Sequence, residues 1–331
     1  MKVCVRPFTA IEIYDNGDVY TCCPAFFKAS NESVCGRIGN IFENSVDEIW
    51  NSEEAVSLRK SILEGDYSKC NLALCRQRKL LDTSQFDATL RPSLPVEITF
   101  AYDKECNLAC VTCRDERYQN SKVETELLNS KIDSVILPFL SNAKRIAVSG
   151  SGEVFASSHS KFLIKEITQK YPDVKFLINT NGILCSRENV EELGLKDKIN
   201  EVFVSLPALN EKVYKSIVIG GNLNLVLKNI KWLAEERKKG KIRIVTISLV
   251  VSALNYKEIP KLVDFAKKLE IHISVNQYCN WGTKLGERYK ELAVWDKNNP
   301  EYNKFIKILK HKALSYDKCF LQPLFMYLRY K

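Results

Sequence analysis

Cys106-Asn-Leu-Ala-Cys110-Val-Thr-Cys113 places three cysteines at the spacing Cys-x3-Cys-x2-Cys, just after the strand-like run from Leu94 to Ala101. Three thiolates can hold three irons of a four-iron, four-sulfur cluster, which takes one cysteine per iron when fully ligated. The fourth iron is then open, and an open iron can chelate a small molecule and pass it an electron. Two plainer accounts are a zinc site and three core thiols. Zinc sites usually pair cysteines at Cys-x2-Cys to Cys-x4-Cys and draw a fourth ligand from a second pair or a histidine. The three histidines, His159, His272 and His311, are all far from the triplet in sequence. The spacing therefore points to an iron–sulfur site.

Around this octet the chain has 331 residues, a length that suggests about two domains. With 45% hydrophobic and 27% charged residues, it has an ordinary soluble, globular composition. No apolar run approaches the roughly 20 residues that span a bilayer, and the start, Met1-Lys-Val-Cys-Val-Arg, lacks the apolar core of a signal peptide. Twelve cysteines without a secretory signal point to a reducing compartment and to metal ligation, so a cytoplasmic location is expected. The net charge of +9 is spread over many lysines. Its densest run, Glu235 to Arg243, reads as a solvated helix end, and neither a nucleic-acid nor a membrane partner is expected.

Upstream of the octet, residues 1–84 hold Cys4, Cys22, Cys23, Cys35, Cys70 and Cys75. Ile11 to Thr21 reads as a hairpin about Asn16-Gly17, a pair suited to a type I′ turn. Ser45-x-x-Glu48 is a capping box, and Ala55, Leu58 and Ile62 keep a helical face apolar until Gly65. So small a module has little core, and metal ligation would tie it together. Residues 85–94 look like a linker.

Downstream, strand-like and helix-like stretches alternate from residue 95. Strands are expected at 96–101, 145–150, 175–180, 201–206, 242–250 and 271–278, with helices between them. The apolar helix faces are Leu128, Ile132 and Val135; Ile164, Ile167 and Tyr171; Val226, Ile230 and Leu233; and Ile259, Leu262, Val263 and Ala266. Six such units make an α/β fold that suits a partial (β/α)6 TIM-type barrel, although periodicity alone also allows a doubly wound sheet. In either, the site lies at the C-terminal ends of the strands, where the octet falls. A core over 95–284 is followed by a C-terminal helical extension over 285–331. In that extension, 302–314 reads as a helix, and the aromatic and aliphatic tail covers the open barrel edge.

The octet resembles the cluster motif of the radical S-adenosylmethionine (SAM) superfamily. This resemblance implies a partial barrel, a [4Fe-4S] cluster on Cys106, Cys110 and Cys113, and SAM bound through its amino and carboxylate groups at the open iron. It further implies reductive cleavage to a 5′-deoxyadenosyl radical that takes a hydrogen atom from substrate. Ser149-Gly150-Ser151-Gly152-Glu153 resembles the family's glycine-rich segment for the SAM amino group; on its own it is a turn with a surface glutamate. Thr180-Asn181-Gly182 resembles the segment on the ribose side, and Ser205 the serine that reaches the SAM carboxylate. An Asn-Gly turn and a strand-end serine are the plain alternatives. Tyr214 to Gly221 matches the tyrosine-to-double-glycine segment, but Val218 stands where an arginine is frequent, and Pro207 replaces a frequent aspartate. Thr112 occupies a position that is often aromatic.

Residues 1–84 resemble the SPASM/twitch auxiliary-cluster domain, through Cys4, Gly17-x4-Cys22, Gly36-Arg-Ile-Gly39, Glu48-Ile-Trp50 and Cys70-x4-Cys75. The resemblance assigns an auxiliary Fe-S cluster to Cys4, Cys22, Cys70 and Cys75, with Cys23 and Cys35 as alternates. It implies an enzyme that modifies a peptide or protein and is served by a reducing partner such as flavodoxin or ferredoxin. Radical dehydrogenation or epimerisation of a carbohydrate or other small metabolite is an alternative. A non-catalytic iron–sulfur electron carrier or sensor is another. Cys279, closing the sixth strand, is the candidate thiol on the substrate side; the plainer account is a core cysteine.

Overall fold

The computed structural model describes residues 1–14, 16–22, 36–70, 80–148, 151–278 and 286–329. The chain divides into two compact units, residues 1–105 with 120–176, and residues 106–119 with 177–331.

In the first unit, β1 (Lys2–Cys4) pairs antiparallel with β5 (Leu80–Asp82). Beside them, β2 (Ala10–Tyr14) and β3 (Asp18–Tyr20) form the expected hairpin, which β4 (Arg37–Asn40) extends. The turn differs from expectation, because of the Asn16-Gly17 pair only Gly17 has a positive φ, +83°. Asn16 instead accepts the Asp18 N–H through its side chain at 3.1 Å, and the Gly17 N–H donates to the Tyr14 carbonyl at 2.8 Å. β2 also lies parallel to β6 (Glu97–Ala101), and β6 parallel to β8 (Arg145–Val148). Ala10, Ile11 and Ile13 are fully buried, as befits a strand with neighbours on both sides.

The capping box forms as read, but the helix it starts is short, Val46–Trp50. A second helix, Glu53–Leu63, begins at its own cap, Ser52. Residues 85–94 are anchored to these helices: Trp50 Nε1 donates to the Pro92 carbonyl at 2.9 Å, and the buried Arg59 donates to the Leu90 carbonyl at 3.1 Å. The Arg59 guanidinium also lies 4.2 Å over the Trp50 ring.

In the second unit, β10 (Ile199–Ser205), β12 (Ile244–Val251) and β13 (His272–Gln277) run parallel in that order, and β9 (Lys175–Thr180), whose residues from Leu177 on belong to this unit, lies beside β10. The helices Leu223–Lys238 and Ile259–Lys268 bury the faces expected of them. The helix expected over 302–314 ends at Leu309. The tail then contributes β14 (Cys319–Leu321), parallel to β13, so its apolar residues cover that sheet edge partly as a strand. β6, β8, β9, β10, β12 and β13 thus follow one another along the chain as the strands of an α/β, partial (β/α)6 barrel. Among the described residues, no helix is long and apolar enough to cross a membrane.

Candidate active site

The octet begins five residues after β6 ends, and the main-chain bonds that shape it are made within the second unit. Two of its residues, Ala109 and Cys110, form β7, which pairs antiparallel with β11 (Val218–Ile219) so that Cys110 lies opposite Val218. The Val111 N–H donates to the Ile217 carbonyl at 2.9 Å and extends this ladder. The Cys113 and Arg114 N–H groups both donate to the Cys110 carbonyl, at 2.8 and 2.9 Å, which turns the chain sharply between the second and third cysteines. The Cys106 N–H donates to the Tyr118 carbonyl at 2.9 Å and closes the loop. Cys106 and Cys110 are half-buried and Cys113 is exposed, so none of the three is sealed in the core.

The tyrosine-to-double-glycine segment backs this loop. Tyr214 is buried, and burial, with the neighbouring Cys110 adding to it, pushes its hydroxyl pKa up to about 12. A β carbon on Gly221 would lie 2.8 Å from the Tyr214 hydroxyl, and one on Gly220 would lie in the Arg117 guanidinium. Arg117, which sequence reasoning passed over, thus comes from just beyond the octet onto the double glycine. Thr180-Asn181-Gly182 also reaches the octet, since Asn181 Nδ2 donates to Asn107 Oδ1 at 2.9 Å. Gly182 has φ +80°, and a β carbon there would meet Val204 at 2.6 Å, so its glycine is needed for conformation and for space. Thr180 is buried and accepts the Gly182 N–H at 3.0 Å. Ser205 is exposed at the end of β10.

In the first unit, residues 151–153 lie against the segment that follows β6. Ser151 donates to the Ala101 carbonyl at 3.3 Å, and the Glu153 N–H to the Glu105 carbonyl at 2.8 Å. A β carbon on Gly152 would stand 2.5 Å from the Glu105 carbonyl oxygen and 2.6 Å from that of Asp103. Only glycine permits that approach of two backbones. Glu153 is buried, and its carboxylate accepts the Phe155 N–H at 3.4 Å. Gly150 lies outside the described residues, as does Cys279.

The amino-terminal cysteines are placed differently. Cys4, at the end of β1, is buried in an apolar cluster with Val3, Phe8, Leu58 and Ile62, against which Cys70 and Tyr67 also pack. The Cys70 N–H donates to the Tyr67 carbonyl at 2.9 Å. The structure therefore brings Cys4 and Cys70 to one cluster. Cys22 is half-buried, two residues past β3. Cys75, Cys23 and Cys35 lie outside the described residues. Among the described residues, no three His, Cys, Asp or Glu side chains form a group that could hold one metal ion. The octet is a donor set of another kind, three thiols on one short loop, and thiolates are the ligands of four-iron clusters. It fits such a cluster.

Sequence profiles agree with this geometry. The Radical SAM superfamily profile matches residues 104–266, and the SPASM profile, an iron-sulfur cluster-binding domain, matches residues 4–77. The chain belongs to the radical SAM superfamily and carries an amino-terminal SPASM domain. Its cofactors are accordingly a [4Fe-4S] cluster, SAM and an auxiliary iron–sulfur cluster. It is similar to the "Probable GTP 3',8-cyclase" of Methanococcus maripaludis strain C5, 26% identical over 57% of this chain and 61% of that protein. It is also similar to the "GTP 3',8-cyclase" of Clostridium botulinum strain Okra, 28% identical over 51% of each chain. It thus spans less than two thirds of the length of these relatives. The solved structure of native anSMEcpe with bound AdoMet and Kp18Cys peptide aligns at 16% identity and TM-score 0.42, over 65% of this chain and 58% of that one.

Proposed function

We propose that this chain is a radical SAM enzyme that removes a hydrogen atom from a peptide or protein, acting as an oxidoreductase of the maturase kind. Cys106, Cys110 and Cys113 hold the radical-site cluster. Gly150, Ser151, Gly152 and Glu153 serve the amino group of SAM, Thr180 and Asn181 its ribose side, and Ser205 its carboxylate. When bound, the cluster supplies an electron to SAM, whose cleavage yields the radical that attacks substrate. The protein's own task is to hold the cysteine loop and to orient what binds beside it. The single observation behind this reading is the octet's own construction: three thiols outside the core on a loop closed at Tyr118 and laddered to residues 217–219.

The peptide reading is supported by the SPASM match, since auxiliary-cluster domains resembling this one accompany such work. Cys4, Cys22, Cys70 and Cys75 are its proposed ligands, and Cys279 the proposed thiol on the substrate side. Residues 1–84 form the auxiliary module, 85–94 the linker, 95–284 the radical core and 285–331 the extension. A flavodoxin or ferredoxin supplies the electron, in the cytoplasm. The names of the two relatives favour a second reading, a small-molecule substrate such as a nucleotide.

Anaerobically reconstituted protein should cleave SAM to 5′-deoxyadenosine on reduction. A variant with Cys106, Cys110 and Cys113 all changed to alanine should not. Equal cleavage by the variant removes the assignment, and no cleavage by the parent protein makes it an electron carrier or sensor. Deuterium transfer into 5′-deoxyadenosine from a labelled peptide, rather than from a labelled nucleotide, separates the two substrate readings.

A further inference from the structure

We infer that Asp103 is a positioning residue for the radical-site cluster: its carboxylate, gathered by Ser157, Ser160 and Asn120, fixes the backbone that delivers Cys106. The inference rests on the cluster assignment proposed above and adds to it a residue that the cysteine spacing does not reveal.

Residues 102–106 belong to no helix or strand, so no regular ladder fixes their path. Asp103 substitutes for one. Its Oδ2 accepts from the Ser157 hydroxyl and, at 2.5 Å, from the Ser160 hydroxyl. Its Oδ1 accepts from Asn120 Nδ2 at 3.0 Å and from the Glu105 N–H at 3.1 Å. Four donors converge on one carboxylate, and hydrogen bonds to an ionised acceptor are the strong ones. Three come from elsewhere in the unit, and the fourth folds the segment back on itself one residue before Cys106.

The donors are themselves fixed. Ser157 is fully buried and caps the helix Ser158–Lys170, accepting the Ser160 N–H at 3.1 Å while its proton goes to Asp103. The Glu105 carboxylate accepts from the Ser158 backbone, so two acidic side chains meet the positive end of this helix. On the other side of Asp103, the Tyr102 hydroxyl donates to His159 Nε2 at 2.7 Å, and His159 Nδ1 donates to Asn129 at 2.6 Å. Glycine at 152 lets the backbones of Asp103 and Glu105 come down onto residues 152–153. Tyr102, Asp103 and Glu105 are thus each tied down, and the next residue is the first cluster cysteine. Groups that orient a metal ligand without touching the metal typically change metal affinity by about 10–100-fold when removed.

The test uses the full chain, reconstituted anaerobically, with Asp103→Ala, Asp103→Asn and the pair Ser157→Ala with Ser160→Ala. Iron release to a chelator, the electron paramagnetic resonance signal of the reduced protein with and without SAM, and thermal unfolding are measured together. The SAM-responsive signal should shift or vanish, and its iron should leave about tenfold faster, while the SAM-insensitive signal stays as in the parent and the melting temperature falls only by the few degrees that loss of a helix cap costs. If Asp103→Ala does not fold, Asp103→Asn and the serine pair, which keep side-chain volume at 103, give the same comparison. Parent-like release and signals in every folded variant overturn the inference and leave the cluster assignment standing. So does a general loss of fold in all three, which makes Asp103 a stability residue. A parent protein without a SAM-responsive signal overturns both.

Discussion

The two cysteine-bearing regions hold their shape by different means. In the second unit the octet is fixed by main-chain bonds, with Cys110 in a ladder to Val218 and Cys106 tied to Tyr118. In the first unit, Cys4 and Cys70 share a small apolar cluster with Val3, Phe8, Leu58 and Ile62. A backbone ladder sets a loop's geometry whether or not metal is present. An apolar cluster of that size offsets little ordering entropy, so ligation at Cys4 and Cys70, if they hold the auxiliary cluster as proposed, would add to its stability. The radical site should therefore behave as a preformed socket, and the amino-terminal module as a region that metal helps to fold.

The widest separation between the regions should appear in their metal content. Two four-iron clusters give about eight irons and eight sulfides per chain. Changing Cys106, Cys110 and Cys113 to alanine should leave about four of each and an unfolding profile like the parent's. Changing Cys4, Cys22, Cys70 and Cys75 should also leave about four, but the amino-terminal residues should become sensitive to protease. Zinc without sulfide in the first variant makes the module a structural zinc domain, since four thiolates also suit zinc. Equal protease resistance in both variants breaks the contrast itself.

Acid should next divide the amino-terminal cysteine module from the rest of the first unit, to which His159 belongs. Residues 1–84 contain no histidine, and Glu48, Asp66 and Asp82 are held below their ordinary carboxylate values by hydrogen bonds from Ser45, Ser68 and Ser84. Such groups contribute stability above their unfolded values, and it is lost only as pH falls through the carboxylate range. His159 acts earlier. Burial lowers its pKa from 6.5 to about 4, against the opposing charge of Asp103. The unfolded chain therefore binds a proton below pH 6.5 that the folded chain refuses until about pH 4. Stability from the neutral imidazole is complete above 6.5 and falls towards 4, by roughly 3 kcal/mol in all at about 1.4 kcal/mol per pH unit. Denaturant midpoints at pH 7, 5.5 and 4 should show that slope in the parent and a shallower one in His159→Gln. Identical slopes would mean that His159 is not held neutral.

Much of this was legible in the sequence because its signals are local. The six barrel strands are short apolar runs between turns, and Val226, Ile230 and Leu233 mark a helix face within one window. The octet is eight consecutive residues. What escaped was non-local. Asp103, Asn120, Ser157 and Ser160 form one carboxylate site, and no window holds them all. Ser157-x-x-Ser160 carries a helix-cap signal but does not say which carboxylate it meets. The parallel pairing of β2 with β6 leaves no mark in either strand beyond the burial of both faces of β2. At the hairpin, the Asn-Gly signal was right about the glycine. It misjudged the asparagine, whose side chain takes the place of a second positive φ.

The smallest expected effect concerns Glu153 and decides whether the socket extends to the SAM ammonium. Its backbone N–H is committed to the Glu105 carbonyl, and its buried carboxylate accepts from the Phe155 N–H at the long distance of 3.4 Å. A glutamine would fill the same space and could still accept from Phe155, so a purely local turn role survives Glu153→Gln. A role towards an ammonium does not, because the change removes the charge. A hydrogen bond involving a charged group contributes about 1.5–3 kcal/mol, so SAM should bind roughly tenfold more weakly or worse. Iron content and melting temperature should remain those of the parent, which separates this effect from that of Asp103. Equilibrium binding of SAM to the reconstituted variant is the measurement. An unchanged dissociation constant would confine Glu153 to its turn and place the partner of the SAM amino group elsewhere in the chain.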